Sequence, residues 1–145
     1  MTDTINGAAL SEPLYGATLG QAVGRFFKKY ATFSGRASRS EYWWIVLAGF
    51  IINIAFGIVV SIANRPQVTT LEATVEYSPL LIITIVIVGL FGLAVIVPSI
   101  AVTVRRLHDA NFSGWFYLLT LVGLSIVVLI LTLLDTKPEG ARFDK

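Results

Sequence analysis

The chain has 145 residues, 55% of them hydrophobic and only 14% charged, with a formal net charge of +2, one histidine and no cysteine. That length carries at most one domain, and a mean hydropathy of +0.76 sets the chain apart from soluble domains, in which about a quarter of residues are charged. Without cysteine there is no disulfide, thiolate zinc site or cysteine nucleophile, and a single histidine leaves no multi-histidine metal site within a protomer.

Residues 1–16 are polar and small, include Gly7, Pro13 and Gly16, and show no sustained period. They read as a mobile tail ahead of a single membrane domain over residues 17–145. Between about 17 and 33, Leu19, Val23, Phe26, Phe27, Tyr30 and Phe33 follow helical spacing, with Arg25, Lys28 and Lys29 mostly off that stripe. Basic residues opposite a Phe-rich face predict an amphipathic helix in the membrane interface. The alternative is a helix packed on the protein's own loops.

Ser38 and Glu41 then have capping-box spacing and open the first of three uncharged apolar stretches, residues 42–63, 79–104 and 115–134. Tyr42, Trp43 and Trp44 suit the headgroup boundary, Ser78 and Pro79 give the second stretch an N-cap and an N1 proline, and Ser113-Gly114-Trp115 opens the third. The shortest gives roughly 30 Å of helix, the thickness of a hydrocarbon core. None has a polar outer face, as expected where lipid is the solvent. The fold expected is all-α, an integral membrane protein with three transmembrane helices behind an interfacial helix. The first apolar run starts after about forty residues and exceeds a signal-peptide core of about 7–15 residues, so all three spans are expected to be retained.

Parity puts the start of the first span, the end of the second and the start of the third on one side, with Arg25, Lys28, Lys29, Arg36, Arg39, Arg105 and Arg106. Arg65, Lys137, Arg142 and Lys145 fall on the other. The more basic side is expected to be cytoplasmic, giving an N-terminus inside and a C-terminus outside. The basic residues flank membrane segments, so anionic lipid rather than nucleic acid is the expected partner.

Two polar motifs meet on that side, Gly35-Arg-Ala-Ser-Arg-Ser-Glu41 and Arg105-Arg106-Leu107-His108-Asp109. Glu41 and Asp109 are their only acids, and each is expected to pair with an arginine. Arg36, Arg39, Arg105 and Arg106 are candidates for binding a lipid phosphate or a partner. The bland alternative is structural salt bridging with nonspecific headgroup contact. His108-Asp109 has the look of a phosphohydrolase metal pair, but the further ligands such a site needs are missing, so neither metal nor cofactor is expected. Local capping and pairing is the favoured role, with acid–base chemistry at His108 as the alternative. Within the first span Gly49, Asn53, Gly57 and Ser61 recur every four residues, a stripe suited to helix packing. Its alternative is the lining of a substrate path.

The stretches FKKYATFSGRASRSEYWW (27–44) and PSIAVTVRRLHDANFSGW (98–115) together resemble the bacterial inner-membrane proteins grouped as domain-of-unknown-function family 805. The resemblance spans roughly residues 22–143. It implies a small multi-helix protein of the inner membrane and supplies no catalytic residues. Members often break the last helix with proline and glycine, where this chain has Gly123. The tail keeps Pro138, Gly140, Arg142 and Phe143 but lacks the family's Asn and final Gly-Pro.

The function expected is a noncatalytic scaffold, sensor or accessory subunit with an Arg-rich cytoplasmic face, either as a homo-oligomer or with a membrane-protein partner. An oligomeric transporter or channel component is the alternative, and a membrane enzyme using His108 and Asp109 comes third.

Overall fold

The computed structural model describes residues 4–5, 8–10, 12–63 and 79–144. Arg65, Ser78 and Lys145, which entered the expectations above, lie outside them. A two-residue antiparallel pairing joins β1 (Thr4–Ile5) to β2 (Ala8–Ala9). The remaining described elements are helical: α1 (Leu19–Lys28), α2 (Arg39–Ala63), α3 (Pro79–Asp109), a 3₁₀ segment (Gly114–Val122), α4 (Ser125–Leu133) and a 3₁₀ turn (Pro138–Phe143). The chain divides into two compact units, one of residues 1–47 with 96–145 and one of residues 48–95.

In the first unit, α1 starts at a capping box in which the Thr18 amide donates to Gln21 at 2.8 Å and the Gln21 amide to Thr18 at 3.4 Å. It ends at Lys28, short of the expected 33, ahead of the poor helix formers Thr32, Ser34 and Gly35. The capping box expected at Ser38 and Glu41 is present, with the Glu41 amide 3.2 Å from Ser38 Oγ and the Ser38 amide 3.0 Å from Glu41 Oε2. It starts α2 at Arg39, three residues before the apolar run.

The second apolar helix runs past residue 104 to Asp109, because loss of apolar character does not end a backbone hydrogen-bond ladder. What ends it is Asn111 in the left-handed region (φ 64). The Asn111 and Phe112 amides donate to the His108 and Leu107 carbonyls at 2.9 Å each, a Schellman closure.

The third apolar stretch is not one continuous helix. Gly123, at φ 81, repeats the closure: its amide donates to Thr120 and that of Leu124 to Leu119, and α4 starts afresh. Both ends of the stretch lie at the last turns of α3. A Cβ added at Gly114 would stand 2.6 Å from Val104 Cγ1, while the carbonyls of Thr132 and Leu134 accept from Arg106. The stretch therefore runs out and back. Nine 3₁₀ residues cover only about 18 Å, too little for a hydrocarbon core of roughly 30 Å. Among the described residues, two helices, α2 and α3, are long and apolar enough to cross a membrane.

The second unit holds the remainder of α2 and α3, with Phe56 and Phe91 facing at 6.1 Å between ring centroids. Ile51, Ile58, Ile85, Leu90 and Leu93 are all more than half exposed, as lipid-facing side chains are. Among the described residues, no neighbouring heavy atom lies within 4 Å of a Cβ added at Gly49 or Gly57. The Asn53 amide donates to the Gly49 carbonyl at 2.9 Å within its own helix.

Candidate functional site

The charged motifs converge in the first unit, and most of their side chains point inward. Arg106 and Asp109 are fully buried, Arg105 is 2% exposed and Glu41 4%. Three elements position them: the capped start of α2, the last turns of α3 and the C-terminal turn.

Asp109 sits at the centre. One carboxylate oxygen accepts from Arg106, three residues earlier on α3, and from Thr136 Oγ1 at 2.6 Å. The other lies 4.0 Å from the Arg36 guanidinium. Arg106 spends its remaining donors on the Thr132 carbonyl at 3.0 Å and on the Leu134 carbonyl, fixing the return of α4. A buried guanidinium demands this full set of acceptors, because leaving its charge unpaired costs several kcal/mol.

Arg36 is held by Asp144 in a fork of contacts at 2.9, 2.9 and 2.5 Å. These hydrogen bonds raise the guanidinium pKa further above its ordinary value. The Gly35 amide donates to the Phe143 carbonyl at 2.7 Å. His108 contacts both of these segments. Its ring stacks on Phe143 at 4.0 Å between centroids, with Nδ1 3.2 Å from the Gly35 carbonyl. A carbonyl neighbour makes Nδ1 the protonated nitrogen of the neutral ring. Gly140 packs so closely that an added Cβ would collide with the His108 carbonyl oxygen. Residues 135–144 thus lie beside Arg36, His108 and Asp109, not across the membrane domain from them as the parity of three spans requires.

A second group surrounds Arg105. Its guanidinium donates to the Lys29 carbonyl at 3.0 Å and the Thr32 carbonyl at 2.8 Å. Glu41 pairs with Arg25, which also donates to the carbonyls of Leu10 and Glu12. The buried face of α1 is Ala22, Arg25 and Phe26, continued by Lys29, while Leu19, Phe27 and Lys28 are exposed. Burial, aided by the Arg105 charge, lowers the Lys29 pKa from 10.5 to about 7. Arg39 alone of the four candidate arginines is exposed. It bridges to Asp135 at 2.6 Å and to the Leu133 carbonyl.

The description "protein of unknown function (DUF805)" matches residues 30–145. The chain belongs to the DUF805 family. It is 33% identical to the inner membrane protein YhaH of Escherichia coli K12 over 98 residues, 68% of this chain and 70% of that one. The similar protein YhaI of the same strain is 34% identical over 95 residues, covering 66% of each. No solved structure matches the chain. This DUF805 chain is thus a membrane protein of the inner-membrane type, in a family with no assigned activity.

The DUF805 structure gathers Arg36, Arg105, Arg106, Glu41, His108 and Asp109, with Arg39 at the rim. Gly49, Asn53, Gly57 and Ser61 belong to the other unit. Sequence reasoning did not reach Arg25, Lys29, Thr136, Phe143 and Asp144 as members of the charged cluster. The signal for the first two was the run Ala22, Arg25, Phe26, Lys29 at offsets of three, four and seven residues, which marks one helical face. For the tail it was the retention of Gly140 and Phe143.

Proposed function

We propose that this protein is a noncatalytic membrane scaffold. Two transmembrane helices and a re-entrant apolar hairpin carry a cytoplasmic head whose charges are consumed internally and whose outer surface rests on anionic lipid. The observation that carries this reading is the mixed outer face of α1, where apolar Leu19 and Phe27 are exposed beside Lys28 while two cations are buried. Arg25 and Lys29 point into the protein while Leu19 and Phe27 face outward at 45% and 52% exposure. A soluble head would do the reverse, whereas an interfacial one buries that aromatic face among acyl chains. Arg36, Arg105 and Arg106 act as internal struts, leaving Lys28 and Arg39 as the lipid-facing cations.

Placing residues 135–144 on the side of Arg36 puts both termini in the cytoplasm. Of the eleven basic residues, only Arg65, in the connection between α2 and α3, then falls on the far side. That charge bias is far stronger than three spans give. The turn at Gly123 suits membrane depth because its amides are bonded within the hairpin.

The cysteine-free chain makes the test direct: single cysteines at Lys28, Gln67 and Glu139, probed from the periplasm with a membrane-impermeant thiol reagent. Labelling at 67 alone is expected, and labelling at both 67 and 139 restores three spans. Native mass spectrometry after gentle extraction tests the lipid surface. Lys28→Ala and Arg39→Ala are expected to lower the retained anionic lipid, and unchanged retention refutes that surface.

A second reading, a homo-oligomer, is favoured by Asn53, an exposed amide on an otherwise apolar helix face beside the open Gly49 and Gly57. Asn53→Leu then lowers the subunit number in the same spectra.

A further inference from the structure

Arg25, Lys29, Arg105, Glu41, Ala22 and Ala37 line a cavity of about 10 Å³ beneath α1, large enough for one water-sized occupant. Its charges do not balance. The one carboxylate, Glu41, is engaged by Arg25. Lys29 Nζ reaches, among the described residues, the Arg36 carbonyl alone, at 3.5 Å. Among the described residues Arg105 has no carboxylate within ion-pair distance, and its buried Nε has no hydrogen-bond partner. Three basic side chains among the described residues thus line one largely buried space with a single acid, where an uncompensated charge is costly.

We propose that this cavity is a binding site for a single monatomic anion of halide size, chloride in the cell. The Arg105 Nε–H and the Lys29 ammonium are its donors, and the apolar walls of Ala22 and Ala37 set its size. A carboxylate or phosphate is too large for the space, and a water would leave the excess positive charge unmatched. The anion ties α1 to α3, because Lys29 lies beyond the end of one and Arg105 in the last turns of the other.

The test is thermal unfolding of the purified full chain in detergent, in sodium bromide or chloride against sodium gluconate at equal ionic strength. A saturable halide-dependent rise of roughly 5–10 °C is expected once the halide is in hundredfold excess over its dissociation constant. The increment should persist in Lys137→Gln, whose lysine is exposed and does not line the cavity. It should vanish in Arg105→Gln and in Ala22→Val, which keeps every charge and fills the space. Identical midpoints of the wild-type chain in halide and gluconate overturn the proposal and assign the cavity to water. So does an increment that survives Ala22→Val. The wild-type comparison decides even if a variant does not fold.

Discussion

Removing the Asp109 carboxylate should be among the most damaging single changes this chain can suffer outside its apolar spans. In Asp109→Ala the Arg106 bonds to the Thr132 and Leu134 carbonyls persist, so the guanidinium stays where it is, fully buried. Its charge then has no counterion at contact distance, a loss of about 3–5 kcal/mol. Thr136 also forfeits its acceptor, a further ~1 kcal/mol. At about 3 °C per kcal/mol for a chain of this size, the midpoint should fall by roughly 10 °C or more. Asp109→Asn keeps the shape and an acceptor oxygen and should fall between that and wild type. The exposed Arg39–Asp135 pair is the control, since such pairs contribute about 0–1 kcal/mol. Unfolding in detergent can be followed through Trp43, Trp44 and Trp115. If Asp109→Ala costs no more than Asp135→Ala, then Asp109 is not the centre of the head and the reasoning fails.

Gly140→Ala drives a methyl group into the His108 carbonyl, a rigid neighbour, and should cost about 1–3 kcal/mol. Limited proteolysis should then release residues 135–144 faster than from wild type. Lys29 gives a pH signature of definite sign. Its folded pKa of about 7 lies below the unfolded value near 10.5, so between those limits the unfolded chain holds the extra proton. Stability should therefore rise with pH across that window, by up to about 1.4 kcal/mol per unit, and be lowest below pH 7. Unfolding midpoints from pH 6 to pH 10 check this, and Lys29→Met should flatten the slope.

Much of this architecture is legible in the residues. Twenty or more uncharged apolar positions identify α2 and α3, and Ser38 with Glu41 announces a helix start that the hydrogen bonds realise. What hydropathy does not encode is direction. Residues 115–134 are as apolar as a true span, and only Gly123, where a left-handed turn is free of a Cβ penalty, marks the point of return. A count of apolar stretches therefore misplaces everything after them, including the partner of Arg36. The inward cations of α1 were hidden for a different reason. Basic residues off an apolar stripe ordinarily face water, and Arg25 and Lys29 are drawn inward by Glu41 and by loop carbonyls distant in sequence. The pairing of each motif acid with an arginine was readable, but Glu41 takes Arg25, outside the motifs, in preference to any arginine within them.

The fork between Arg36 and Asp144 joins positions 108 residues apart. A ribosome delivers Arg36 to the membrane surface long before it delivers Asp144. Helices α2 and α3 and the apolar stretch 115–134 are all made before that carboxylate. The fork therefore closes only after α2, α3 and the apolar stretch have been made, so the contacts that hold Arg36 are among the late ones to form. A chain cut back before residue 144 lacks this fork and should be digested faster by an added protease than the chain that has it.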